Sequence, residues 1–244
     1  MLAEYLIAIE FWRFADNGCW EEEQKVEASS VGAALAGLVK YREVATKCGE
    51  IMPEKLDSAI EKAQKSLDEI LPNESREPFL RDVDAAQIFL IEPLEIVDEK
   101  QAAEIVKRIS RKLTREIGII RYENDSYWAP NYREHYSLAQ RAQYADDREK
   151  SAAGGEAQWT LFDPLLAIYF LKKSRKNGSA EFCEMADWHL ARSLAQFVDT
   201  AEGWRLPEAY FCEGEKWVAN DHVPLLWSQA NVLRMLNEFA KNAR

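Results

Sequence analysis

The stretch GWRLPEAYFCEGEKWVANDHVPLLWSQ, from Gly203 to Gln229, combines a carboxylate with many aromatic rings. The rings belong to Trp204, Tyr210, Phe211, Trp217 and Trp227. Glu208 lies among them between Pro207 and Pro224, two residues that predict a loop rather than a helix interior. Aromatic rings stack on the C–H faces of a sugar and a carboxylate serves its oxygens, so this composition suits carbohydrate chemistry. The alternative is a loop that packs on its own aromatic residues and holds a solvated glutamate.

A second loop with acidic and aromatic residues precedes a helix near the N-terminus. It reads CWEEEQKVEA and contains Trp20, Glu21 and Glu22. Ser29 or Ser30 is predicted to cap the helix that follows, where apolar residues recur at helical spacing. Glu21 therefore lies in a loop that leads into a helix, as Glu208 does. The alternative is that the acidic run is only the solvated approach to that helix.

The composition of the chain restricts the classes of function. Apolar residues make up 47% of the 244 residues, enough for one large domain or two small ones. The net charge of -11 argues against nucleic acid and anionic membranes as partners and suits a neutral substrate. No apolar run is long enough to span a bilayer and no signal peptide follows Met1, which predicts a cytoplasmic protein. The four cysteines lie far apart with no CxxC pair, so neither zinc nor a redox pair is expected, and no Gly-rich phosphate loop or HExxH motif predicts a cofactor.

Apolar residues at helical spacing predict seven or eight helices, and no alternating pattern predicts a strand. Between Pro53 and Pro72, one helix face is expected to carry Leu56, Ile60, Ala63, Leu67 and Ile70. Asp98 and Gln101 have the spacing of a capping box at the start of another helix. Since the helices form pairs of similar length, the sequence predicts an all-α fold of stacked helical hairpins.

Other segments carry weaker or mixed patterns. Residues 85–91 form either a short helix or a strand. Residues 121–155 are the longest irregular stretch, and their aromatic first half favours a lid. His135 within this stretch is predicted to be a surface residue, whereas His189 is predicted to be a packed core histidine rather than a ligand. The helix after Asp163 is expected to begin with an Asp-Pro pair and to end at an Asn-Gly pair.

Five motifs follow one another along the chain in a recognisable order. They read DNGCWEE, ASSVGAALAGL, RYENDSYWAPNY, EAQWTLFDPLLAIY and LPEAYF, and together they span most of the sequence. With the run PLLWSQA that starts at Pro224, they resemble the glucoamylase family, glycoside hydrolase family 15. The resemblance is strongest to the bacterial branch related to the glucoamylase-like domain of the phosphorylase kinase α and β subunits.

This resemblance implies an (α/α)6 toroid, in which twelve helices surround a pocket. It implies hydrolysis of α-glucosidic bonds from the non-reducing end with inversion, on an α-glucan or maltooligosaccharide substrate. It also implies that Glu21 is the general acid and Glu208 the general base. The substrate contacts that it implies are Trp20, Glu22, Arg121 and Trp159.

The chemistry of two carboxylates is consistent with these roles. An inverting hydrolase needs two carboxyl groups roughly 6.5–9.5 Å apart, which leaves room for a water molecule. One carboxyl must keep its proton, and burial against Trp20 would favour the neutral form of Glu21. Glu208 must be ionised to activate the water, and no metal is required.

By this resemblance, the chain, residues 1–244, is expected to correspond to the C-terminal two-thirds of the family fold, with about eight of its twelve helices. The first four helices of the family are then expected to have no counterpart before Glu21. Residues 3–15, predicted to be helical, and the final helix would then border the gap and lose their apolar cover. We therefore expect the chain alone to self-associate, to bind a partner segment that completes the ring, or to hydrolyse nothing.

Three functions remain compatible with the sequence. The first is a glucoamylase-like hydrolase, favoured by the presence of both expected glutamates. The second is a non-catalytic carbohydrate-sensing or regulatory domain similar to that of phosphorylase kinase, or an inactive fragment, favoured by the missing helices. The third is a helical scaffold without a ligand.

Overall fold

The computed structural model describes residues 1–128 and 154–241. The chain divides into two compact units, Met1–Lys107 and Arg108–Arg244. Most of the predicted lid, together with His135, lies outside the described residues. Within the described ranges no helix is long and apolar enough to cross a membrane.

The first unit is built mainly from helices. They are α1 (Leu2–Ala8), α2 (Ala28–Cys48), α3 (Leu56–Ile70), a 3-10 turn (Ala85–Gln87), α4 (Ile88–Ile91) and α5 (Glu99–Lys112), whose last turn belongs to the second unit. Residues 85–91 are thus helical, which answers the helix-or-strand alternative. The predicted helix over 3–15 is too long, because α1 ends at Ala8 and turns follow it.

The α2–α3 pair forms the core of this unit, and its apolar faces follow the predicted spacing. All five residues predicted on the apolar face of α3 are buried. They pack against α2, which buries Val31, Leu35 and Leu38. Cβ atoms three and four residues apart lie on one side of a helix, so this spacing places both apolar faces in the core.

Two predicted helix starts have different outcomes. The capping box is confirmed, because the Gln101 amide donates to Asp98 Oδ1 at 2.7 Å and the Asp98 amide to Gln101 Oε1 at 3.0 Å. The predicted cap by Ser29 or Ser30 is wrong, because α2 begins at Ala28. Ser29 lies inside the first turn, where its amide and hydroxyl donate to the buried carboxylate of Glu74 at 3.1 and 2.5 Å. The side chain of Glu74, which is distant in the sequence, thus accepts from a free backbone amide at the start of α2 in place of a local capping residue.

The second unit combines helices with short strands. Its elements are β1 (Gln158–Trp159), α6 (Asp163–Asn177), α7 (Ala180–Ala195), β2 (Val198–Thr200), β3 (Gly203–Arg205), β4 (Ala209–Glu213), β5 (Lys216–Ala219) and α8 (Leu226–Ala240). The predicted ends of α6 are confirmed: it starts at Asp163-Pro164 and stops before Gly178, which has a left-handed φ of 65°. Helices α6 and α8 bury a common cluster formed by Ala167, Ile168, Leu206, Val232 and Met235.

The predicted all-α toroid is wrong. The chain is mixed α/β, with 51% helix and 11% strand. One antiparallel sheet has the order β1-β4-β5, and β2 pairs with β3 in a second one. Each strand in the described ranges has at most five residues, too few for an alternating pattern to emerge from the sequence.

The hairpin of β4 and β5 did leave a signal in the sequence. Gly214, with a φ of 65°, and Glu215 form the turn between the paired residues Glu213 and Lys216. Glycine in a two-residue turn flanked by aromatic and β-branched residues is typical of a β-hairpin. The aromatic residues of this stretch were interpreted as ligand contacts, although the same residues favour strands.

Helix α8 has an apolar side that faces solvent. Val232 and Met235 are buried, whereas Leu226, Leu233 and Leu236 are 78%, 61% and 42% exposed. Exposed apolar residues grouped on one helix favour association, since burying them releases water. We expect the purified chain to form oligomers at micromolar concentration, and a Leu233→Lys, Leu236→Lys double variant to shift towards monomer in multi-angle light scattering. A parent chain that is monomeric at every concentration would contradict this prediction.

Candidate functional site

Glu208 is fixed through its backbone between two other segments of the second unit. It immediately precedes β4, and its amide donates to the carbonyl of His222 at 3.0 Å. Its own carbonyl accepts from the amide of Thr160 at 3.2 Å. The residue thus continues the pairing of β1, β4 and β5 by one position, so three chain segments meet at this point.

The two oxygens of the Glu208 carboxylate have different surroundings. Oε2 accepts from the Tyr127 hydroxyl at 2.8 Å and from Asn220 Nδ2 at 2.8 Å, and it lies 2.9 Å from His222 Nδ1. Because a carboxylate only accepts hydrogen bonds, the last contact requires the histidine tautomer with its proton on Nδ1. No hydrogen bond from the described part of the chain reaches Oε1. The side chain is 13% exposed. Three groups therefore hold one oxygen in place, whereas no described group holds the other.

Tyr127, which donates to the Glu208 carboxylate, also contacts Arg121 and Trp159 through its ring. The Tyr127 ring stacks on Trp159 with centroids 5.5 Å apart, and the Arg121 guanidinium carbon lies 4.8 Å from the Tyr127 centroid. Asp125 holds Arg121 with two hydrogen bonds of 2.6 and 2.5 Å. The structure thus brings three predicted site residues together, Arg121, Trp159 and Glu208. Arg121 and Trp159 are both buried, so their predicted substrate contacts stay predictions.

The other predicted residues lie in a closed loop of the first unit. Asp16 and Lys25 pair through both backbone amides, at 3.1 and 3.0 Å. Inside this closure, the Glu22 amide donates to the Asn17 carbonyl at 2.8 Å, and Asn17 Nδ2 returns a bond of 2.6 Å to the Glu22 carbonyl. Gly18 turns the chain with a φ of 65°, at a point where a Cβ would lie 1.7 Å from Glu27 Oε2. Only glycine fits this turn.

Trp20, Glu21 and Glu22 have three different environments within the loop. Trp20 is half-buried, and its Nε1 donates to Asp84 Oδ1 at 2.9 Å. Glu22 is buried, and Arg81 donates to its carboxylate at 2.7 Å, so a sugar contact by Glu22 stays a prediction. Glu21 is exposed and has a left-handed φ of 56°. The expected burial of Glu21 against Trp20 is therefore wrong.

Glu21 belongs to the first unit and Glu208 to the second. The separation of about 6.5–9.5 Å that inversion requires stays a prediction for this pair. Among residues 1–128 and 154–241, no group of three or more His, Cys, Asp or Glu residues could hold a metal ion.

No protein-family model matches the chain, and no curated protein matches it. Solved structures do match it. One of them is a glycosidase in which one glutamate is replaced by alanine, with a TM-score of 0.65 and 20% sequence identity. The match covers 97% of this chain and 58% of that one, so the chain spans little more than half the length of that glycosidase. At this identity the likeness concerns the fold alone. The chain has a glycosidase-like fold.

Sequence reasoning missed the residues that hold Glu208. Tyr127 lies in the aromatic motif RYENDSYWAPNY, and Asn220 and His222 lie in the stretch from Gly203 to Gln229, but none of the three was assigned a role at the site. The β4–β5 hairpin is what returns Asn220 to Ala209, where its amide donates to the Ala209 carbonyl at 3.0 Å. Recognition of the turn at Gly214 would have identified this proximity.

Two buried acids lie beside the loop that carries Glu21. Burial raises the pKa of Glu27 from 4.5 to about 7, against the opposing charge of Lys25, which lies 3.3 Å away. Burial also raises the pKa of Glu74, and the negative charges of Asp84 and Glu27 add to this effect. The folded state therefore retains protons on these acids at pH values where the unfolded chain has already lost them.

The stability of the protein is consequently expected to fall as pH rises from about 4.5 to 7. In this window Glu27 binds more protons in the folded state than in the unfolded state, so the free energy of unfolding falls by on the order of 1 kcal/mol per pH unit. Glu27→Gln is expected to reduce the difference in melting temperature between pH 5 and pH 7.5. Glu43→Gln is the matched control, because Lys40 and Lys47 lower the Glu43 pKa to about 2, outside the window. An unchanged pH dependence in Glu27→Gln would contradict the prediction.

Proposed function

We propose that the protein is a glucoamylase-like enzyme that hydrolyses α-glucosidic bonds in small α-glucans with inversion of configuration. The glycosidase-like fold supports this proposal in general terms. The observation that carries it is the geometry of Glu208, with three hydrogen-bonding groups on Oε2 and no hydrogen bond from a described residue on Oε1. A general base needs this combination, because its position must be fixed while its basic lone pair stays accessible to water.

In the proposed reaction, a water molecule binds to Oε1 of Glu208. As the water oxygen attacks the anomeric carbon of the terminal glucose, Glu208 takes one of its protons. Glu21 gives a proton to the glycosidic oxygen, so the bond between that oxygen and the anomeric carbon breaks without forming an alkoxide. The products are β-glucose and a shortened chain, with Glu208 protonated and Glu21 ionised until the two exchange protons with water.

The remaining residues have positioning or contact roles in this proposal. Tyr127, Asn220 and His222 keep the Glu208 carboxylate from rotating, so that Oε1 stays directed at the water. The Arg121 guanidinium lies against the Tyr127 ring and restricts its position, because Asp125 holds the guanidinium with two hydrogen bonds. Trp20, Glu22 and Trp159 are the proposed sugar contacts, and Glu22 would have to share its carboxylate with Arg81.

A non-catalytic carbohydrate-binding domain is the second candidate function. The exposed position of Glu21 favours it, because Glu21 lacks the buried, apolar setting in which a general acid of this kind is held. A domain that binds glucose units around Glu208 without an effective acid would sense a sugar and not cleave it.

One experiment separates the two functions. The full 244-residue chain is incubated with maltotriose, and glucose release is followed alongside the melting temperature. Release of glucose supports the enzyme. A rise in melting temperature without release supports the binding domain, because a ligand at 100 times its dissociation constant stabilises the folded state by about 2.7 kcal/mol. Cellotriose, which differs only in linkage, is the matched control. The absence of both glucose release and a rise in melting temperature would contradict both functions.

A further inference from the structure

Arg81 connects the two neighbours of Glu21 through one buried network. Its Nη2 donates to Glu22 Oε2 at 2.7 Å, and its Nη1 donates to Asp84 Oδ2 at 2.9 Å. The side chains of these three residues are between 0 and 6% exposed. Asp84 uses its other oxygen, Oδ1, to accept from Trp20 Nε1 at 2.9 Å. Trp20 and Glu22, on either side of Glu21, are thus tied to the same Arg81–Asp84 pair.

Asp84 is itself rigidly placed. Its Oδ1 accepts from the amide of Ala86 at 2.8 Å, and it is the N-cap of the short 3-10 turn. Buried hydrogen bonds between charged groups are strong and directional, so both ends of the network are fixed. The Arg81 backbone is also held, because its carbonyl accepts from the Glu74 amide at 2.8 Å.

Glu21 itself has a backbone conformation that needs external support. Its φ of 56° is unfavourable for a residue with a Cβ, at a cost of order 1–3 kcal/mol. Such a residue relaxes unless the surrounding structure holds it. The side chains of Trp20 and Glu22, the two chain neighbours of Glu21, restrain it through their bonds to Asp84 and Arg81. The exposed Glu21 carboxyl lies on the turn between them.

We propose that Arg81 is a positioning residue that, with Asp84, holds the Trp20–Glu22 turn so that the Glu21 carboxyl keeps one place. The catalytic consequence rests on the proposed function, whereas the ordering of the turn does not. An arginine is required because its planar fork reaches two carboxylates at once, whereas the lysine ammonium is a single point charge on a flexible stem.

The first test measures the order of the turn by amide hydrogen exchange in Arg81→Lys. The Glu22 amide, bonded to the Asn17 carbonyl, is the main reporter. We expect exchange in peptides covering 17–26 to become faster by about tenfold or more, while α3 peptides keep the parental rate. Asp84→Asn, which keeps the size and shape of the side chain but removes its charge at the other end of the network, should give the same pattern. Arg76→Lys is the matched control, because Arg76 makes an exposed pair with Glu69 in the same unit. Parental exchange in peptides 17–26 of both Arg81→Lys and Asp84→Asn overturns the proposal.

The second test asks whether the turn positions a proton donor. Hydrolysis of maltotriose needs a proton on the leaving oxygen, whereas α-glucosyl fluoride has a leaving group that departs without a general acid. Arg81→Lys is therefore expected to lower kcat on maltotriose by about 10-fold to 100-fold with little change in KM, and to leave kcat on the fluoride nearly unchanged. An equal loss on both substrates overturns the positioning of Glu21 as an acid. A third outcome is that Arg81→Lys speeds exchange in peptides 17–26 while the parent chain hydrolyses neither substrate. That result would support the ordering role of Arg81 and contradict the proposed function.

Discussion

Replacing Glu208 by glutamine is expected to lower kcat on maltotriose by about 10²–10⁴-fold, with a much smaller change in KM. Glutamine has the shape of glutamate, and its side-chain oxygen can still accept from Tyr127 and Asn220. Its amide nitrogen would then occupy the position of Oε1 and could not take a proton from water. Steady-state kinetics on the purified variant measure the effect.

Glu21→Gln is expected to cause a loss of similar size, because the leaving oxygen would lose its proton donor. Glu213→Gln and Glu23→Gln are the matched controls, since each removes a nearby glutamate that has no role in the proposed mechanism. Both controls should retain parental kcat. Near-parental turnover in Glu208→Gln or Glu21→Gln would remove that residue from its proposed role.

Replacing Asp163 by alanine is expected to lower the free energy of unfolding by about 3–5 kcal/mol, a large part of the stability of an ordinary domain. Asp163 is fully buried at the start of α6. Its carboxylate lies 2.7 Å from His189 Nδ1 and accepts from Arg192 Nε at 2.9 Å and from Gln196 Nε2 at 2.8 Å. Removing it leaves a largely buried arginine without its counter-charge, which costs more than the hydrogen bonds themselves.

Urea unfolding followed by tryptophan fluorescence measures this loss as a lower midpoint. Asp187→Ala is the control, because Asp187 is an exposed residue on α7 and such substitutions usually change stability by less than about 0.5 kcal/mol. A loss below about 1 kcal/mol for Asp163→Ala would show that the charge of Arg192 is satisfied by the backbone carbonyls that it also contacts.

The helices were predictable where local signals agreed with packing. Helix α3 has apolar residues on one face and a proline beyond each end, and α6 has an Asp-Pro start and an Asn-Gly stop. The prediction that His189 is a packed core residue is also confirmed, since it is buried and lies against Asp163. These features depend on residues close together in the sequence, so a single chain carries the information.

The site was predictable only in part, because its main contacts join distant residues. Aromatic loops with glutamates indicated where to look, and Arg121 and Trp159 do lie beside Tyr127 and Glu208. The bond from Tyr127 to Glu208 spans 81 positions, and that from Arg81 to Glu22 spans 59. No local pattern encodes such pairs. The strands were missed for a related reason, since they owe their pairing to the turn at Gly214 and to partners elsewhere in the chain.

The central claim is that Glu208 activates water for inverting hydrolysis, and the anomeric form of the first product tests it most directly. Proton NMR during the first minutes of maltotriose hydrolysis distinguishes β-glucose from α-glucose before the two interconvert. The proposed mechanism predicts that β-glucose accumulates first, and that Glu208→Gln abolishes the signal while Glu213→Gln preserves it. Initial accumulation of α-glucose, or no glucose from the folded chain, would contradict the account.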